Sequence, residues 1–250
     1  MLVEFVEPVV LVVGAFLASE LGYRLGRHYG PQDETFDKQL GLISSATFAL
    51  VAFLIGFGFA GAGTRYVDRL DLIVKEANAL GTSYLRADAL PQPARGELKE
   101  ALRQYAASRI ELLARHDSAT AVTLLSKVGT QHAQLWAIAM KGTADNPQLM
   151  LVVLPSLNEV IDLHTTHLSA AIRHIPTPIM ITLLLSAALA LALASFGNGQ
   201  AGRRYPILNF VYGFALAAAI WMTLDLDHPR RGFIQINVQP LTDTLGSMKP

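Results

Sequence analysis

The stretch 40–64 carries no charged residue and is rich in Leu, Ile, Val, Phe, Ala and Gly. A helix crosses a bilayer core of about 30 Å with about 20 mostly apolar residues. This run is long enough, and nothing in it would resist lipid. Two further runs, 177–199 and 206–224, are also uncharged. A fourth, 5–23, is interrupted by Glu7 and Glu20. Pro8 is expected in its first turn, where a helix tolerates proline. Glu7 and Glu20 are 13 residues apart, about 20 Å of helix, which suits one carboxylate at each interface. The alternative is a cation or proton path, since intramembrane carboxylates face a bundle interior or water. Four transmembrane helices are therefore expected.

Composition agrees. Hydrophobic residues make up 52% and charged ones only 16%, against about 25% charged in a soluble domain. Disorder, a nucleic-acid-binding role and a disulfide-stapled miniprotein are excluded. Lys+Arg and Asp+Glu are each 20, so bulk charge favours no polyanion. There is no cysteine, hence no thiolate chemistry. No Lys or Arg precedes Arg24, so a cleavable signal is not expected. Basic residues near the spans are nearly balanced: Arg24, Arg27, Lys38, Arg203 and Arg204 against Arg65, Arg69, Lys75, Arg173, Arg230 and Arg231. The positive-inside rule alone therefore leaves orientation open. Four spans do place both termini and the middle segment on one side.

The middle of the chain is helical by its apolar period. Stretch 65–87 continues the second span without a proline, with apolar Leu70, Ile73, Val74, Ala77, Leu80 and Leu85. Pro91 and Pro93 break it. Helices are expected over 94–114, over 118–140, and from Asn146-Pro147 to about His174. No strand alternation or internal repeat occurs. The tail, 228–250, reads as an extended segment packed through Phe233, Ile234, Ile236 and Val238. The expected domains are a transmembrane hairpin (1–64), an extramembrane helical domain (65–176), a second hairpin (177–227) and the packed tail (228–250).

Several motifs admit two readings. Gly56, Gly58 and Gly61 spell Gly-x-Gly-x-x-Gly, but a dinucleotide site needs that turn between strand and helix. Inside an apolar span these residues, with Gly63, read as close-packing or flexible helix positions. Asp162, His164 and His167 could hold a metal, or form a polar helix face with His174. Arg65 and Asp68 after the second span, and Asp225, Asp227, Arg230 and Arg231 after the fourth, are expected to form structural ion pairs. No hydrolase or nucleotide-hydrolysing motif is present, and no cofactor is expected. Phe53 and Phe57 share a helix face with Ala49 one turn earlier. On a lipid-facing helix such a row means packing; around an axis it makes an apolar constriction.

The run Phe53-Leu-Ile-Gly-Phe57, followed by Thr64-Arg65-Tyr66, resembles the second membrane helix of the bestrophins. Ile175-Pro-Thr-Pro178 resembles that family's third-span entrance. Leu224-Asp-Leu-Asp-His-Pro229 and Gln239-Pro-Leu-Thr-Asp243 resemble its post-membrane elements. More narrowly, Gly61-Ala-Gly-Thr-Arg-Tyr66, Glu76-Ala-Asn-Ala-Leu-Gly-Thr82 and Leu157-Asn-Glu-Val-Ile-Asp-Leu-His164 resemble the bacterial bestrophin-like membrane proteins. The resemblance implies an all-α homo-pentameric ion channel in the cell membrane, with termini and middle domain cytosolic. It implies a neck of Ala49, Phe53 and Phe57; Gly56, Gly58, Gly61 and Gly63 are expected to form a flexible pore exit, and the glycines and alanines from Gly58 to Gly63 replace larger residues of the family. Tyr66 and Val67 stand where the family usually has tryptophans. No acidic clasp follows Asp227, so calcium gating is not implied. The rival expectation is a non-conducting membrane scaffold of the same fold; a membrane enzyme using His164 and His167 is a third class.

Overall fold

The computed structural model describes residues 2–114, 118–229 and 232–249. Eight α-helices are described and no strand. They are α1 (Leu2–Tyr29), α2 (Glu34–Arg86), α3 (Ala94–Ala114), α4 (Ser118–Thr143), α5 (Met150–Ala171), α6 (Thr177–Gln200), α7 (Pro206–Asp227) and α8 (Gln239–Ser247). Four of them, α1, α2, α6 and α7, are long and apolar enough to cross a membrane. α1 begins at Leu2, so Pro8, expected in the first turn, lies inside the helix. α2 runs unbroken for 53 residues. Nothing between Thr64 and Arg86 removes a backbone donor, so the helix continues past the apolar run.

The chain divides into two compact units, Met1–Arg65 with His174–Ile234, and Tyr66–Arg173 with Gln235–Pro250.

In the first unit, α1 and α6 pack backbone to backbone. Gly22 lies against the carbonyl of Ala192, Gly26 against that of Phe196, and Gly199 against that of Tyr23. A Cβ at any of the three would overlap backbone. Gly22-x-x-x-Gly26 is the small-residue spacing that lets membrane helices approach closely. Val51 of α2, Leu183, Ala187 and Ala190 of α6, and Ile220 of α7 form this unit's buried apolar cluster. Glu20 joins Arg24 and Arg204, at 2.8 and 3.1 Å. That ties the α1 carboxylate to the connection between α6 and α7.

The second unit is a water-type bundle. Leu80, Leu98, Leu102, Tyr105, Leu135, Leu157, Val160 and Leu241 are fully buried in one core. Asn146 opens the turn before α5, its side chain accepting from the Gln148 amide. α5 ends at Ala171, short of His174. The tail departs from the extended form expected of it, because 239–247 forms α8. Asn237 accepts the Gln239 amide at 2.8 Å and Pro240 sits in the first turn, a start signal that the apolar pattern concealed. Leu241 and Met248 then anchor the tail in the core.

Candidate pore-lining face of the second helix

Within the first unit, one face of α2 is committed to packing. Val51 and Ala62 are fully buried and Gly58 is buried; Phe48, Leu54 and Ile55 pack partly on the apolar cluster. The opposite face is exposed at Ala46, Ala49, Leu50, Phe53, Gly56, Phe57, Ala60 and Thr64. These positions recur every three or four residues, so they form one stripe along the helix. Phe53 and Phe57 are 67% and 62% exposed. Their rings stack with centroids 6.4 Å apart and planes 18° apart. The chain's own core therefore does not take up these rings. Packing inside the chain is removed as a reading of the row; what remains is lipid or other subunits.

The four glycines do different things. Gly56 has nothing within 4 Å of where a side chain would begin, so it packs against no part of its own chain. Gly58 faces the Thr223 methyl, and Gly63 faces Leu226. Gly61 lies beside the guanidinium of Arg65. Tight backbone approach falls instead on Gly22, Gly26 and Gly199. The signal for it, a Gly-x-x-x-Gly spacing, was present in the first span.

At the end of the stripe, Arg65 pairs with Asp227, its Nε donating to Oδ1 at 2.8 Å. Asp227 is buried and also accepts the Ile175 amide at 2.9 Å. Asp225 has another task. It accepts the amides of Phe233 and Ile234, both at 2.9 Å. The carboxylate sits where a Gly232 side chain would begin, so any larger residue there would have to displace it and its amide contacts. Asp68 is exposed and falls in the second unit. Arg230 and Arg231 lie outside the described residues. The expected charge cluster is thus an Arg65–Asp227 pair and a separate Asp225 turn.

The candidate metal group also separates. Asp162 is exposed and accepts from Asn158 at 2.7 Å. His164 and His167 are buried in the second unit. His167 Nδ1 is 3.0 Å from Glu76 Oε2, and Arg109 donates to the same carboxylate. His132 meets the Tyr105 hydroxyl at 3.1 Å and the His164 ring edge-on. Burial, then the charge of Arg109, holds the His164 imidazole down to about 4. The same two causes lower His132. The arrangement is a buried polar network organised by an ion pair, with the His132 and His164 imidazoles held below the usual histidine range. The sequence offered no signal for it, because Glu76, Arg109 and His167 are far apart along the chain.

A family model described as Bestrophin-like domain matches residues 9–241. No curated protein matches. Among solved structures, the fold is similar to that of a bacterial bestrophin homologue from Klebsiella pneumoniae. One structure of that homologue, a tryptophan-to-alanine variant, has TM-score 0.64 and 15% identity, covering 98% of each chain. Another has TM-score 0.62 and 16% identity, covering 96% of this chain and 99% of that one.

Proposed function

Because this chain belongs to the bestrophin-like family, we propose that it is a homo-oligomeric passive ion channel, pentameric, with α2 lining the pore. The observation that carries the reading is the exposed row of Phe53 and Phe57 on the side of α2 turned away from its own core. Copies of this row around an axis form a narrow apolar neck, with Ala49 at its wide end. Such a neck conducts when wet and blocks when dewetted, so small movements of the rings gate it. The positive ring edges offer weak favourable contact to passing anions.

Gly56, Gly58, Gly61 and Gly63 then give the exit end of the helix freedom to adjust, since glycine loosens a helix interior. The Arg65–Asp227 pair fixes the end of the membrane part of α2. The 65–176 domain and both termini are placed in the cytosol. The permeant species are inorganic ions, and no residue is assigned a catalytic task.

Flux in liposomes tests this. Phe53→Ala with Phe57→Ala widens and wets the neck, so conductance should rise clearly. Unchanged conductance in the double variant would sink the neck assignment. The alternative, a non-conducting scaffold, draws on the small residues from Gly56 to Gly63, which let neighbouring helices close. A monomer or dimer in detergent, by light scattering, would favour it.

A further inference from the structure

Outside the neck, one cluster of metal-ligating side chains stands together in the membrane unit. His174 follows α5, and Asp227 and His228 end α7. Among the described residues these three alone bring one possible ligand atom each to within 4.8 Å of one another. His174 Nδ1 lies 3.4 Å and His228 Nδ1 3.9 Å from Asp227 Oδ2. Metal–nitrogen bonds of ~2.0–2.1 Å at tetrahedral angles put ligand atoms about 3.3 Å apart. The first distance already fits, and the second needs about half an ångström. The two imidazoles are stacked, 4.2 Å apart and 10° from parallel, so one ring must turn before both can aim a nitrogen at one ion. They are 35% and 38% exposed, so an ion can reach them, while the carboxylate beside them is 1% exposed.

The same atoms have other contacts that an ion would meet. Besides the carboxylate, His174 Nδ1 faces the Asp227 carbonyl at 3.1 Å and His228 Nδ1 the Leu224 carbonyl at 3.2 Å. These carbonyls accept from a protonated ring nitrogen, so an ion must displace the proton and the contact to bind there. Arg65 holds the other carboxylate oxygen, Oδ1, and the Ile175 amide donates to Oδ2. Hydrogen bonds that fix a ligating carboxylate are a regular part of metal sites.

The geometry points to a divalent transition-metal site, of the zinc or cobalt type, formed by His174, His228 and Asp227, with water completing the coordination. Two imidazoles and one carboxylate select a borderline ion over Ca2+ or Mg2+, which prefer all-oxygen shells. A bound ion would join the start of α6 to the end of α7.

The test uses the full chain in detergent, stripped with chelator and titrated with Co2+, then with Zn2+ in competition. The expected result is one ion per chain, the visible bands of four-coordinate Co2+, and displacement by Zn2+ but not by Ca2+ or Mg2+. His174→Asn and His228→Asn should each weaken binding at least about tenfold; His28→Ala, a histidine outside the cluster, should not. Asp227 also carries Arg65 and Ile175, so the histidine variants are the decisive ones, with thermal unfolding to show that they fold. Substoichiometric binding, displacement by Ca2+, or histidine variants that bind as the wild type each overturn the site. Oligomer state and ion flux do not enter the readout, so the outcome stands apart from the channel reading.

Discussion

The two units treat the same residue types in opposite ways. The extramembrane unit has a large leucine core inside, with Leu80, Leu98, Leu102, Leu135 and Leu157 0% exposed, although Leu151 and Ile172 are 79% exposed. In the membrane unit large apolar side chains point outward, with Ile207 at 76% and Phe16 at 63%. Water drives the first arrangement, because apolar surface leaves it. Lipid removes that drive, and helices associate by close packing instead. So Gly22, Gly26 and Gly199 do for one unit what leucines do for the other. Burial locates the core of the extramembrane bundle. In the membrane unit it locates helix–helix contacts and leaves the exposed face to lipid and partners.

The sharpest way to break this contrast is at glycine. Gly22→Leu drives a side chain into the backbone of α6, which cannot yield. Two turns earlier, a Cβ at Gly14 meets nothing within 4 Å, so Gly14→Leu has room to begin. The first should abolish a monodisperse, cooperatively melting protein, and the second should leave it intact. Equal behaviour of the two would mean that α1 and α6 do not pack through these glycines.

The next effect belongs to the extramembrane unit. Arg109 and Glu76 are 1% and 0% exposed as a pair. Arg109→Leu leaves a buried carboxylate beside His167 without its cation. Breaking such a pair costs roughly 3–5 kcal/mol, read as a lower unfolding midpoint in denaturant. Glu76→Gln with Arg109→Leu should recover part of that loss, because no unpaired charge stays behind.

Much of this architecture was legible beforehand. The uncharged runs gave the spans because a bilayer sets a length, and periodicity gave α3 to its terminal residues. The pattern failed where chemistry is non-local. The Glu76–Arg109–His167 network and the His174–Asp227–His228 cluster join distant segments. His174 parts from His164 and His167 because α5 stops at Ala171. The tail was misjudged because its start signal, Asn237 with Pro240, lies in backbone hydrogen bonding and not in apolar spacing. On α2, the periodicity places Phe53 and Phe57 on one face, and the structure shows that this face is exposed. The assembly that would surround it belongs to more than one chain.

A smaller effect follows from pH. The His164 imidazole is held down to about 4 by burial and the nearby Arg109, whereas an unfolded histidine titrates near ~6.5. Between those values the unfolded chain binds the extra proton and the folded chain does not. Stability therefore falls as pH drops from about 6.5 toward 4. The extramembrane unit should lose thermal stability across that window, and His164→Gln should flatten the slope. A slope unchanged by His164→Gln would assign the acid sensitivity to other groups, with His132 the next to test.

The smallest effect on stability is expected where the functional effect is largest. Phe53 and Phe57 touch little of their own chain, so Phe53→Ala should shift folding stability by no more than about 0.5 kcal/mol. Leu157→Ala removes a fully buried side chain and should cost about 2–5 kcal/mol. Measured side by side in dissociated chains, the two variants separate what holds the chain together from what the proposed neck would do. If Phe53→Ala destabilised the single chain as much as Leu157→Ala, the aromatic row would be part of the chain's own packing. A near-silent Phe53→Ala that nevertheless alters flux or subunit association would assign the row to contacts made beyond the chain, at the axis of an oligomer.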